Sequence, residues 1–405
     1  MEMMKAKLMS LCVYKHMLEA PPVKAILSLC DAKTPDALIQ GYTELVRSVW
    51  EEGHKTLSDS LLWHLKYDES YIGTIVSSGR AEQYLLEAAT MDIRRLASIG
   101  MLSCAGLKRG IANVCVKVHQ DYGALIQNLP ELPMGYEFSE AEVFESYMKN
   151  GCGVFALGRA FHWEKGVLTL VKDPDSMFPD DMVGYETQRQ AVIENTQILV
   201  QGRPASNVLL YGDSGTGKSA TVKAMLNIPA FYNLRLIEIA KNSLDELTEV
   251  VRLVAKHSQK FILYIDDLSF EQEDKGFSAL KTALEGGLER RPSNVAIYVT
   301  SNRRHMIRES FSDRAGDEVH ARETLEERSS LAERFGLRLP YLALDKQKYT
   351  DTVLRLCRRQ GIDLPEEELR AMAGRWELQH GGRTPRVAMQ LAEKLAGERP
   401  FTENS

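Results

Sequence analysis

One octapeptide constrains this chain more than any other stretch. It is Gly212-Asp-Ser-Gly-Thr-Gly217-Lys218-Ser219, set between the apolar run Val208-Leu-Leu-Tyr211 and the helix-forming residues Ala220 to Leu226. Glycines at this spacing let the backbone curl until successive N–H groups point at one centre. The amino terminus of a following helix adds its dipole to that same point. Such a loop is a receptor for a phosphate. Lys218 would then reach the β- and γ-phosphates of a nucleotide, and the Ser219 hydroxyl would coordinate Mg²⁺. The expected binding set is Gly212, Asp213, Ser214, Gly215, Thr216, Gly217, Lys218, Ser219 and Ala220. At average composition the pattern arises by chance in roughly one chain in a hundred of this length. Its position between a strand and a helix lowers that rate further.

A loop of this kind needs a sheet behind it. From about residue 183 compact apolar runs alternate with helical stretches, which predicts a parallel α/β sheet. The strand candidates are 208–211, 235–239, 261–265, 295–300 and a short one at 337–339. Each lacks the alternation of a half-exposed strand, as strands buried on both faces do. The run Lys260-Phe-Ile-Leu-Tyr-Ile265 ends in Asp266-Asp267, which sets two carboxylates at the sheet's carboxyl edge beside the phosphate loop. Asp266 would hold the magnesium shell, and Asp267 would orient or deprotonate an attacking water. The run Val295-Ala-Ile-Tyr-Val-Thr300 continues into Ser301-Asn302, and Asn302 would bond the γ-phosphate or position that water. Taken singly, an acid or an asparagine after a strand is an ordinary turn former. The order of the three pieces is what points to chemistry.

The remainder of the chain is described by composition more than by motif. Residues 1–150 read as mostly helical: Thr34-Pro35 marks a helix start, and Leu38, Tyr42, Leu45, Val46 and Val49 follow at three- and four-residue steps. No catalytic constellation stands out there, and its histidines lack metal-ligand spacing. Residues 151–180 read as a strand and hairpin with a turn at Glu164-Lys165-Gly166, followed by the polar, proline-bearing linker Lys172 to Asp181. After residue 345 the pattern is helical again, with helices near 346–359, 365–379 and 384–396. The formal charge of −6 argues against coating nucleic acid through bulk charge. No apolar run approaches a membrane span, and Leu8 to Tyr14 reads as a buried helix and not a leader. Six scattered cysteines with no CxxC pair suit reduced thiols in a cytoplasmic protein, and with no apolar span no membrane partner is expected.

The order of phosphate loop, Asp-Asp strand and Thr-Ser-Asn strand, then Leu331-Ala-Glu-Arg334-Phe335-Gly336-Leu337 and Gly382-Arg-Thr-Pro-Arg386, resembles an AAA+ ATPase over roughly residues 181–397. Within that superfamily, Ile265-Asp-Asp-Leu-Ser-Phe270 and Thr300-Ser-Asn-Arg-Arg-His305 resemble a bacterial family of unknown function. The resemblance implies an AAA+ core with a five-stranded parallel sheet between helices (181–345), a helical lid (346–405), and a separate helical amino-terminal domain. It makes Val183 and Gly184 part of the adenine pocket. It makes Arg334 an arginine finger reaching a neighbouring subunit's γ-phosphate, and Arg386 a sensor arginine of the lid, with Arg383 the lesser candidate. ATP and Mg²⁺ are the implied ligands, and the implied assembly is a homo-oligomeric ring, a hexamer among its forms.

One departure bears on activity. Most such ATPases follow the magnesium aspartate with glutamate, where this chain has Asp267. One methylene fewer withdraws the carboxylate by ~1.5 Å. Misplacement of that size costs about a hundredfold in rate. Glu271 is close enough in sequence to substitute. Two functions therefore follow: an ATPase that remodels or moves a protein or nucleic-acid partner engaged by the amino-terminal domain, or a slow-hydrolysing switch or loader that exchanges partners with nucleotide state. A kinase fits poorly, for want of an acceptor site. Lys108-Arg109 and the arginines 303–308 are candidate phosphate contacts, although such clusters are usually solvated faces.

Overall fold

The structure, a computed structural model, describes residues 1–67, 69–268, 275–285, 292–302 and 331–398. Two compact units emerge: Met1–Leu157 with Lys256–Ser258, and Gly158–Ala255 with Gln259 onward.

The first unit is helical. Pro35–Glu51 begins where the sequence places a cap, with the Thr34 hydroxyl accepting from the Ala37 amide at 3.3 Å. Its stripe of Leu38, Tyr42, Leu45, Val46 and Val49 is buried in one core with residues of Pro21–Asp31, Leu57–Tyr67 and Gln83–Gly100. The Leu8–Tyr14 stretch is helical only to Met9; Leu11 and Tyr14 enter the core from a turn. Buried Asp92 holds that turn by accepting from the amides of Cys12, Val13 and Tyr14 at 2.8, 2.8 and 3.1 Å. Three backbone donors on one carboxylate offset the cost of burying it.

The second unit is built on a sheet of order β2-β1-β4-β5-β6-β3-β7. The strands are β1 Ala160–Glu164, β2 Val167–Leu170, β3 Val208–Gly212, β4 Leu234–Ile239, β5 Lys260–Ile265, β6 Val295–Ser301 and β7 Leu337–Tyr341. All neighbours are parallel except β1 and β2. The expected sheet of five parallel strands is thus corrected to seven. The hairpin, read as a separate element, adds itself to the sheet by pairing Ala160–Trp163 in parallel with Leu236–Ile239. Its turn at Lys165-Gly166 is where the spacing puts it, with φ of 49° and 76°. Val154–Leu157, read as strand, is a single helical turn.

Every residue of β6 is buried and only one residue in each of β4 and β5 is not, which is why these strands read as continuous apolar runs. Pro340, which has no amide hydrogen to offer, lies in edge strand β7. The chain leaves β3 for β4, works back through β5 to β6, then crosses β3 to reach β7. Strand β3 therefore sits where the order reverses, the position at which open sheets leave a crevice beyond their carboxyl ends. Helices Lys346–Arg359, Glu366–His380 and Pro385–Gly397 form a bundle with its own core, and Val183 packs into it. Among the described residues no helix is long and apolar enough to cross a membrane.

Candidate functional site

The phosphate-type loop takes its shape from contacts made behind it. Gly212 has φ of 133°, and a Cβ there would lie 2.3 Å from the Tyr341 carbonyl oxygen of β7. Only glycine lets the two strand ends approach so closely. The Asp213 amide donates to that same oxygen at 2.9 Å, and its carboxylate accepts from the Ala343 amide at 2.6 Å. Gly215 is crowded from the other side. Its added Cβ would meet the Thr384 hydroxyl and Arg386 at 3.2 Å each, and the Arg386 amide donates to the Gly215 carbonyl at 3.2 Å. The carboxy-terminal bundle is in this way attached to the tip of the loop.

The loop borders a cavity of about 620 Å³ at the carboxyl edge of the sheet. That volume falls in the range of small-molecule sites. Ser214 through Ala220 line it, as do Val183, Gly184, Asp266, Asp267, Asn302 and Arg386. Gly212 and Asp213, expected in the binding set, stand behind the loop and shape it. Arg334 also lies away from the cavity, just ahead of edge strand β7. Arg383 is ion-paired with Glu377 and does not line the cavity either. Glu271 and the arginines 303–308 fall outside the described residues.

At the centre, the Asp266 Oδ1 accepts hydrogen bonds from the Ser219 hydroxyl at 2.7 Å and the Thr300 hydroxyl at 2.6 Å. Burial works against ionising this carboxyl, but those hydroxyl donors prevail and hold it below the ordinary aspartate range. The Thr300 oxygen also accepts from the Asp267 amide at 2.8 Å. The sequence points to Asn302, just beyond this strand, and gives Thr300 no role; a hydroxyl at the end of a buried strand beside an Asp-Asp pair is the signal that marks it. Asp267 has φ of 49°, in the left-handed region that non-glycine residues avoid. Its Oδ1 accepts from the Asn302 amide nitrogen at 2.6 Å, and its Oδ2 faces the Lys241 ammonium at 3.4 Å. Lys241 opens the 3-10 helix Lys241–Glu246 after β4 and carries no sequence signal.

Lys218 is buried at the start of helix Lys218–Lys223, donating to the carbonyls of Gly212 at 3.2 Å and Asp213 at 2.6 Å. Burial lowers its pKa, with the nearby carboxylates of Asp213, Asp267 and Asp266 opposing the shift. An anion in the cavity would add a negative charge beside this ammonium and favour its charged form. The oxygens of Ser219, Asp266 and Thr300 are hard donors of the kind Mg²⁺ takes, with one carboxylate and room for phosphate oxygens and water. The residues present therefore fit that ion.

The far end of the cavity is apolar and comes from two directions. Met177, Met182 and Val183 arrive before the helix Glu186–Val200, and Leu356, Pro385 and Met389 come from the carboxy-terminal bundle. Tyr185 stacks on Tyr341 with ring centres 4.8 Å apart and donates to the Leu342 carbonyl at 2.5 Å. Arg189 donates to the Gly184 carbonyl at 2.8 Å, fixing the turn that carries the cavity wall.

Against known families, residues 157–399 match the family described as "Protein of unknown function (DUF815)". The chain belongs to this family. The match spans more than half of the sequence and covers the sheet unit, in keeping with the AAA+ family of unknown function that the motifs resemble. Two curated proteins are similar over shorter stretches. The 26S proteasome regulatory subunit 6B homolog of Schizosaccharomyces pombe is 34% identical over 109 residues, covering 24% of this chain and 28% of that protein. The Holliday junction branch migration complex subunit RuvB of Mycoplasmopsis pulmonis is 28% identical over 89 residues, covering 22% and 27% respectively. The chain thus spans little more than a quarter of the length of these relatives. Among solved structures, a Thermotoga maritima RuvB Holliday junction branch migration motor aligns at 14% identity with a TM-score of 0.35, covering 53% of this chain and 63% of that one. A superposition that loose adds nothing to the topology described above.

The Asp266 arrangement sets a pH dependence. A carboxyl held below its unfolded value contributes stability that is complete above about pH 4 and lost as the pH falls through the folded value. Asp266→Asn is therefore expected to be less stable than wild type near neutrality, with the gap narrowing in urea unfolding as the pH falls below about 4. A gap that stays constant with pH would show that the carboxylate's charge plays no part.

Proposed function

We propose that this protein binds ATP with Mg²⁺ in the cavity at the sheet's carboxyl edge and hydrolyses it at subunit interfaces of a homo-oligomeric ring. The observation that carries the proposal is the meeting of Lys218, Ser219, Asp266, Thr300 and Arg386 around one cavity, beside a glycine loop at a helix amino terminus. In this reading Ser214 to Ser219 cradle the phosphates with their amides, and Lys218 neutralises the β- and γ-phosphates. Ser219 and Asp266 hold Mg²⁺, which supplies positive charge against the phosphate oxygens. Asp267 accepts a proton from the attacking water as the water oxygen bonds to the γ-phosphorus and the bond to ADP breaks. Asn302 holds Asp267 for that task; their hydrogen bond is the support for this role. Val183, Gly184 and the methionines surround the base.

Arg334 is assigned to the neighbouring subunit's nucleotide. Its position ahead of edge strand β7, outside its own cavity, supports an action in trans. A fixed guanidinium charge suits a phosphoryl group that gains charge in its transition state. The proposed output is movement or remodelling of a protein or nucleic-acid partner held by the helical first unit.

One observation favours the slower alternative, a nucleotide-dependent switch or loader. The Asp267 carboxylate, already a methylene short of the usual glutamate, is shared between Asn302 and Lys241. An ammonium at 3.4 Å competes with water for that carboxylate.

Three experiments follow. Arg334→Ala is expected to keep ATP affinity while cutting turnover by roughly 10³-fold or more. Specific activity of the wild type is expected to rise with protein concentration; full activity in a dilute monomer would contradict the ring. Lys241→Ala separates the two readings. A several-fold gain in turnover would mean that Lys241 restrains Asp267 and that the chain is a held switch. Unchanged or reduced turnover would leave the ATPase reading in place.

A further inference from the structure

The apolar wall of the cavity includes a segment whose attachment Val183 explains only at its carboxyl end. Residues 175–183 run along the cavity without a strand or α-helix to hold them, interrupted only by the 3-10 turn Pro179–Asp181. They nonetheless supply Met177, Asp181, Met182 and Val183 to its lining. Two side chains fasten this strap from opposite sides. Asn227 stands at the end of the turn that continues the phosphate-loop helix, and it donates to the carbonyls of Asp175 at 2.9 Å and Met177 at 2.7 Å. Arg359, the last residue of helix Lys346–Arg359, donates through one nitrogen to the Asp181 carbonyl and through another to the Asp180 carbonyl at 2.7 Å. The guanidinium fork thus grips two successive carbonyls through two separate nitrogens held in one plane, where an ammonium would have to reach both from a single atom.

We infer that Arg359 and Asn227 are positioning residues for nucleotide exchange: they hold the strap 175–183 against the cavity, and Arg359 links its hold to the carboxy-terminal bundle. The inference rests on the reading that the cavity takes a nucleotide. Leu356, one helical turn before Arg359, lines the cavity itself, so the helix that carries the latch also forms part of the cavity wall. A tilt of the bundle moves Arg359 and the two carbonyls it holds, and the wall supplied by Met177 and Met182 moves with them. Neither latch residue lines the cavity. Their effect should therefore fall on how long a nucleotide stays, and not on the bond-breaking step.

The test is the dissociation rate of N-methylanthraniloyl-ADP from the full chain, chased with excess ADP, alongside its association rate. Arg359→Ala and Asn227→Ala are each expected to speed dissociation by roughly three- to tenfold, the scale of one or two exposed hydrogen bonds. The association rate should change little. Arg359→Lys, which keeps the charge but loses the fork, is expected to fall between Arg359→Ala and wild type. Should Arg359→Ala fail to fold, Asn227→Ala decides alone. Wild type that binds the probe while the folded latch variants release it at the wild-type rate overturns the inference. Wild type that binds no better than Lys218→Ala overturns the nucleotide reading itself, and the inference with it.

Discussion

A single carboxylate oxygen connects three parts of the second unit. Asp266 Oδ1 stands at the end of β5 and accepts from Ser219 on the helix after β3 and from Thr300 on β6. A half-buried carboxylate stays ionised most readily where donors surround it. The sheet provides them because β6 lies between β5 and β3, so that all three carboxyl ends open on the same crevice. The seven-residue burial of β6 and the close approach of Gly212 to Tyr341 fix the strand ends from which these groups project. Disturbing that meeting point would separate the phosphate-type loop from the acids it needs.

The bundle of the last three helices depends on the same region in a different way. Thr384 and Arg386 press against Gly215, Val183 enters the bundle core, and Arg359 holds the strap. Each contact joins a cavity wall to an element with its own hydrophobic core. Movement of the bundle therefore alters the cavity at both the loop tip and the apolar end. This is a physical basis for coupling the contents of the cavity to shape.

Much of this was legible in the sequence because it is local. Strands β3, β4, β5 and β6 are buried on both faces and read as unbroken apolar runs, and the loop after β3 carries its glycines at fixed spacing. The last three helices lie close to the helical stretches read after residue 345, and the Thr384 cap is a detail the structure adds. What escaped was pairing and long-range contact. The hairpin's alternation is the same whether β1 stands apart or pairs with β4, so its place in the sheet could not be read. Val154–Leu157 is too short for periodicity to choose between strand and helix. Lys241 meets Asp267 across 26 residues and Arg359 meets Asp180 across 179, with nothing local to either residue that announces it. Asp267 was singled out for its chemistry, but its left-handed backbone and its shared carboxylate are tertiary facts.

The central claim is that the glycine loop and Asp266 together form a receptor for magnesium and ATP. Isothermal titration of ATP into the wild-type chain, Lys218→Ala and Asp266→Ala, each with Mg²⁺ and with EDTA, tests it most directly. One site per chain is expected, lost in Lys218→Ala, and strengthened by Mg²⁺ in wild type but not in Asp266→Ala. ATP binding that is equal in all three proteins and indifferent to Mg²⁺ would contradict the claim.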